Sequence, residues 1–196
     1  SHVRGMLRRG PVVVEPWFDV ALQLSVRLDI GRDGARVEGI GRGLSDGRGR
    51  FEGAVLGQLD LGLDTSLRRW LRGDGKDVDR VDRMARAVAA QVGDEARARG
   101  YLGPAGVDAL VVRHDDGFRM RPLVDLNPRC TMGHIAAALS KRVSRRRVGL
   151  WRAVTREEAR AWGWPSLRAW AEDVAQRHPP RLDARGAVCD GVLHTT

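Results

Sequence analysis

From Leu22 onward the chain alternates with a period of two. Leu22, Leu24, Val26, Leu28 and Ile30 are apolar, and Gln23, Ser25, Arg27 and Asp29 between them are polar. Successive strand side chains point to opposite faces, so this pattern predicts a half-buried β-strand. Asp33-Gly34 then reads as a two-residue hairpin turn, because both residue types tolerate positive φ. Upstream, the short apolar run from Pro11 to Glu15 reads as a buried strand. The glycine-dense stretch from Gly39 to Gly49 lacks the spacing of a P-loop and reads as a flexible hairpin or loop.

The pattern then changes period. Val78, Val81, Met84, Val88 and Val92 step by three and four, which predicts a helix from about Val78 to Arg99, stopped by Gly100. Asp64-Thr65-Ser66 can cap a short helix through Leu71. Residues 107–113 and 118–126 read as two strands around an Asp116-Gly117 turn. A loop from Asn127 to Thr131 leads into an alanine-rich helix ending near Arg142. Thr155 and Glu158 have capping-box spacing, and Ser166–Arg177 is a further helix. Strands, helix, hairpin, helices is the order of an α+β fold, an antiparallel sheet with flanking helices. The expectation is a single domain over residues 1–196, in which residues 144–196 form a helical C-terminal extension.

The segment with the most chemistry is residues 101–134. Counting back symmetrically from an Asp116-Gly117 turn puts Asp108 directly opposite Asp125, with Cβ atoms ~4.5–5.5 Å apart. Asn127 is two residues further on, hence on the same face. Opposed carboxylates repel at neutral pH, and a divalent cation removes that penalty. Magnesium takes oxygen ligands, typically one or two carboxylates with waters and phosphates. An exposed hairpin whose acids face solvent, or pair with Arg119 and Arg121, fits the same spacing equally well.

GPAGVDALVV followed by RPLVDLNPR resembles the paired strands of ATP-grasp enzymes, the superfamily of D-alanine–D-alanine ligase and biotin carboxylase. The resemblance spans about residues 11–143 and implies the second lobe of an ATP-grasp fold. It implies ATP and Mg as cofactors, with Asp108, Asp125 and Asn127 as metal ligands. Family members more often carry Glu where Asp125 stands. VVVEPWFDVALQLSV resembles the hinge strand, so Glu15 to Trp17 would flank adenine and Gln23 stands nearest the ribose-binding position. Arg129 follows the Asn-Pro pair and would contact phosphate or the acyl intermediate as the catalytic cation. Some members carry an arginine two residues before the first acid; Gly106 stands there, so Arg119, Arg121 or Arg129 would substitute.

The implied activity is ATP-dependent ligation of a small-molecule carboxylate to an amine or thiol through an acyl phosphate. The lysine-bearing strand and glycine-rich lid of such ligases lie upstream, and neither Lys76 nor Lys141 is placed to serve. The chain is therefore expected to be a fragment of a longer protein, to need the rest of its parent, and to lack turnover alone. A non-catalytic nucleotide-binding module is the second reading.

The net charge of +9 suggests a polyanionic partner, which makes an arginine-rich nucleic-acid binder the third. Composition argues against it. Only two of the 34 basic residues are lysines, the arginines are spread along the chain, and Gly, Ala and Val are abundant, as GC-rich codons would give. Lys141-Arg142 and Arg145–Arg147 form the best basic patch, and they also suit the C-terminus of a helix. Two cysteines make no disulfide framework, and no apolar run reaches the ~20 residues of a membrane helix. A cytoplasmic protein is the expectation.

Overall fold

The computed structural model describes residues 2–8, 10–12, 14–73, 80–145 and 147–194. In chain order the elements are α1 (His2–Leu7), β1 (Val20–Gly31), β2 (Gly34–Ser45), β3 (Phe51–Leu56), α2 (Thr65–Arg72), α3 (Arg80–Ala98), β4 (Gly103–His114) and β5 (Gly117–Asn127). There follow α4 (Met132–Ser140), β6 (Gly149–Arg152), α5 (Arg156–Ala161), α6 (Leu167–Arg177), β7 (Arg181–Leu182) and β8 (Val188–Asp190). The fold is α+β, as the order of the patterns predicts. Six strands make one sheet in the order β5-β4-β1-β2-β3-β6, every pair antiparallel.

The alternation of β1 decides the faces. Leu22, Leu24, Val26, Leu28 and Ile30 are between 0 and 8% exposed and meet Ala105, Val107, Ala109 and Val111 of β4 on the side covered by α2 and α3. Asp64 caps α2 by accepting from the Leu67 amide at 2.9 Å, which sets Leu67 and Leu71 into this core. The buried stripe of α3 differs from the valine stripe that the sequence suggests. It is Val81, Ala85, Ala89, Gly93 and Ala96, while Met84 is 41% exposed; Val78 lies outside the described residues. Small residues win because the helix lies very close to the sheet. A Cβ on Gly93 would stand 2.4 Å from the Ala35 methyl.

Both hairpin turns close one residue earlier than expected. Gly31 pairs with Gly34 and His114 with Gly117, so the turns are Arg32-Asp33 and Asp115-Asp116. Each glycine instead opens the returning strand, at φ of 144° and 127°, a region that side chains disfavour. The shift at the second turn would put Leu123 opposite Asp108. A bulge corrects it. Between the Leu110–Arg121 and Asp108–Asp125 pairs, β5 fits Pro122, Leu123 and Val124 against Ala109 alone. Proline has no N–H for the ladder, so the bulge falls where pairing is already broken.

Three other expectations need correction or narrowing. Among the described residues of 11–15 there is no strand, and Val14 is 89% exposed; Pro11 and Pro16 bracket the run and deny it ladder donors. The glycine-dense stretch is the hairpin and not the loop of the two alternatives, since Gly39–Gly43 lies within β2, which pairs with β3, and only the tip around Asp46–Arg50 turns. Finally, residues 144–196 are not purely helical. The four residues of β6, too short to show a period, pair with β3 as the sixth strand, and β7–β8 form a small hairpin. Helix α5 is capped as expected by Thr155, and Ser166 caps α6.

The close fit of α3 has a measurable consequence. Alanine is favoured over glycine in a helix by about 1 kcal/mol, but overpacking costs roughly 1–3 kcal/mol. Gly93→Ala is expected to lose about 1 kcal/mol of stability in urea unfolding, and Ala35→Gly introduced with it should recover part of the loss. A stabilised Gly93→Ala would show that α3 has room to move away.

Candidate functional site

The sheet's second face carries the polar half of β1. Gln23, Ser25 and Arg27 sit there, opposite Gly43, Gly41 and Gly39 of β2. On the other side Ser25 pairs with Asp108 and Arg27 with Gly106. Helix α4 packs across β1, β2 and β3 on this face. Its approach depends on two glycines. A Cβ at Gly106 would stand 2.6 Å from Thr131 Cγ2, and one at Gly133 would stand 2.6 Å from Ser25 Oγ. Thr131, at the start of α4, is buried, and its N–H donates to His134 Nδ1 at 3.1 Å. His134 thus takes the part that glutamate plays in a capping box. Accepting at Nδ1 leaves the proton on Nε2, which is buried without a hydrogen-bond partner among the described residues.

Asp108, Asp125 and Asn127 come together where β4 and β5 run out beside this helix. Asn127 Nδ2 donates to Asp108 Oδ2 at 3.0 Å and to Asp125 Oδ2 at 3.2 Å. Arg129 donates to Asn127 Oδ1 at 3.1 Å. Two carboxylates therefore converge on one donor atom. Burial raises the Asp108 carboxyl above its ordinary range, and the charge of Asp125 raises it further; the Asn127 hydrogen bond and Arg129 oppose both. This is an arrangement short of positive charge at its centre. Its donors are all hard oxygens once the amide turns, a set that suits magnesium and not zinc. Among the described residues no group of three or more His, Cys, Asp or Glu gathers to hold a metal; this site offers two carboxylates and an amide.

The arginines separate clearly. Arg119 donates to Asp116 at 3.1 Å, and the Arg121 guanidinium lies 4.4 Å from the centre of the Phe18 ring. Neither pairs with the two acids; Arg129 is the cation at this site. Gln23 is engaged by Ser45, whose hydroxyl donates to Oε1 at 2.6 Å. Glu15 and Trp17 lie in the irregular segment before β1. The Trp17 ring edge comes within 3.3 Å of where a Gly49 Cβ would stand, at the β2–β3 tip, and the side chain is otherwise largely exposed.

Sequence reasoning passed over Arg27 and Ser25, reading both as the solvated half of an amphipathic strand. The signal was present in Gly39, Gly41 and Gly43, which recur with the period of a strand and so strip one face of side chains. Beneath α4 that stripped face leaves a cleft of about 130 Å³, lined by Arg27, Gly41, Val55, Ala136, Ala137 and Ser140 among others.

No protein-family model matches the chain, and no curated protein is significantly similar to it. Among the described residues no helix is long and apolar enough to cross a membrane.

The raised Asp108 carboxyl gives a pH test. Its folded value exceeds the unfolded one, so the folded state binds more protons between them. Stability from this group therefore falls as pH rises from about 4 through the folded value, and the penalty is fully present above it. Asp108→Asn should melt higher than the parent at pH 7, and the advantage should shrink toward pH 4. An advantage equal at both pH values would mean that charge is not its source.

Proposed function

We propose that this chain is the nucleotide- and magnesium-binding part of an ATP-dependent ligase of the ATP-grasp type, joining a small-molecule carboxylate to an amine or thiol through an acyl phosphate. The observation that supports this reading is the convergence of Asp108, Asp125 and Asn127, with Arg129 at their rim. An amide exchanges its donor and acceptor by a half-turn, so the Asn127 that bridges the acids without metal can offer Oδ1 to a cation. When bound, magnesium would offset the charge of the nucleotide phosphates during phosphoryl transfer. Asp108 and Asp125 would hold it. Arg129, freed from Asn127, would present its planar fork to phosphate or acyl-phosphate oxygens. The lysine and lid that clamp the phosphates would come from the remainder of a parent protein, and the chain alone would bind Mg-ATP without turnover.

A non-catalytic nucleotide-binding module uses the same site, and Gln23 favours it in one respect. Its Oε1 is already occupied by Ser45, where a ligase of this type carries a ribose-binding acid. The nucleic-acid reading has less support. Many of the arginines are matched to acids locally, among them Arg36 with Asp29, Arg50 with Asp46, Arg113 with Asp19 and Arg168 with Glu172. Of the basic patch, Arg146 lies outside the described residues.

A ligand that binds only the folded state stabilises it by RT ln(1 + [L]/Kd), about 0.4 kcal/mol when the two concentrations match. With a millimolar Kd, millimolar Mg-ATP should therefore raise the Tm by only about 1–2 °C. Asp125→Asn should erase that shift while leaving the apo protein at least as stable. If Asp108→Asn and Asp125→Asn both kept a clear Mg-ATP shift, these residues would not be the metal ligands and the ligase reading would lose its support.

A further inference from the structure

We propose that the cleft beneath α4 is a carboxylate pocket, in which Arg27 receives the carboxylate of a short aliphatic acid and Ala136 and Ala137 of α4 cover its chain. The cleft belongs to none of the assignments above, which place the nucleotide and metal at the acids of β4 and β5. The inference rests on the ligase reading only for the role of the acid as substrate. Binding itself stands on the geometry.

Arg27 is half-buried between the sheet and α4, and among the described residues no carboxylate or carbonyl meets it within hydrogen-bonding distance. Glu38 acts on it only through space, and burial works against its charge. A guanidinium stays protonated all the same, so an anion that completed it would remove a real penalty. The floor is built for this side chain. Its terminal nitrogens lie 2.4 Å and 3.5 Å from where Cβ atoms on Gly39 and Gly41 would stand, so alanine at Gly39 would displace the guanidinium. A second polar group is available. Ser140 Oγ accepts from the Gly57 N–H at 3.3 Å, which leaves its own hydrogen to donate.

Charge and size select the occupant. One guanidinium matches one carboxylate through two parallel N–H···O bonds. A phosphate, with more charge and more oxygens, would leave lone pairs facing the methyl groups of Ala136 and Ala137. A cleft of about 130 Å³ has room for a short acid such as butyrate. The pocket also adjoins the acids. Gly133 lines it and touches Ser25, and Ser25 is the cross-strand partner of Asp108. A carboxylate on Arg27 thus lies one side chain away from the place proposed for magnesium and the nucleotide phosphates.

The probe is sodium butyrate, titrated into the full chain without nucleotide or magnesium, at constant ionic strength, and followed by NMR of the backbone amides. Saturable shifts at Gly41, Ala137 and neighbouring amides are expected, with a Kd in the millimolar range that six heavy atoms allow. Arg27→Gln and Ala137→Leu should each weaken binding about tenfold or more, the first by removing the charge partner and the second by filling the cleft. Ala137→Leu leaves Arg27 in place, so it decides the matter if Arg27→Gln fails to fold. Inorganic phosphate, titrated the same way, should bind more weakly than butyrate. The proposal is overturned if butyrate gives no saturable shift, if Ala137→Leu binds it as well as the parent, or if phosphate occupies the cleft in preference. Because metal and nucleotide are absent, such a failure leaves the Mg-ATP test untouched, and a failed Mg-ATP test leaves this one standing.

Discussion

A helix can lie on a sheet only as closely as the side chains between them permit. On the second face of this sheet almost nothing intervenes along β2. Gly39, Gly41 and Gly43 leave that strand bare, and Gly106 and Gly133 remove two more Cβ atoms that would push Thr131 and α4 away. Three further features follow from this one approach. Thr131 is buried and starts the helix against the sheet, which places the preceding Asn127–Cys130 segment beside the acids. Arg27 finds a floor to lie on and a helix above it. The cleft beneath α4 persists because glycine and alanine line it, where larger side chains would close it.

The acidic cluster depends on a second, local device. The β4–β5 turn is one residue earlier than the Asp-Gly dipeptide suggests, and the bulge at Pro122–Val124 supplies two extra residues on β5. Together these leave Asp108 opposite Asp125. Even numbers of residues preserve the face on which a side chain falls, so the alternation of the strand survives the bulge intact. The expected juxtaposition was thus correct although the turn assumed for it was not.

What could be read from sequence was what a period reveals. The alternation in β1, the capping residues Asp64 and Thr155, and the opposed acids were legible because each rests on spacing along the chain. The features that were hidden rest on small residues. Alanine and glycine in α3 carried no apolar stripe to see, yet they are the residues that pack. The same is true of the glycines of β2, which read as a flexible hairpin or loop and are the floor of a cleft. Arg27 was invisible for the complementary reason, since a charged residue at an odd position of an amphipathic strand signals solvent unless the covering helix is known. The four residues of β6 were too few to show any period.

The bulge in β5 also bears on how these molecules meet one another in concentrated solution. β5 is an outer strand of the sheet, and an outer strand offers unpaired N–H and C=O groups to which another chain can add. Here the row is interrupted midway by Pro122, which has no donor, and by a local twist that spoils alignment with a straight partner. The opposite border is β6, only four residues long. Among the described residues the six-stranded sheet thus offers only short regular edges at its two borders, which disfavours intermolecular β-pairing, the usual first step toward fibres.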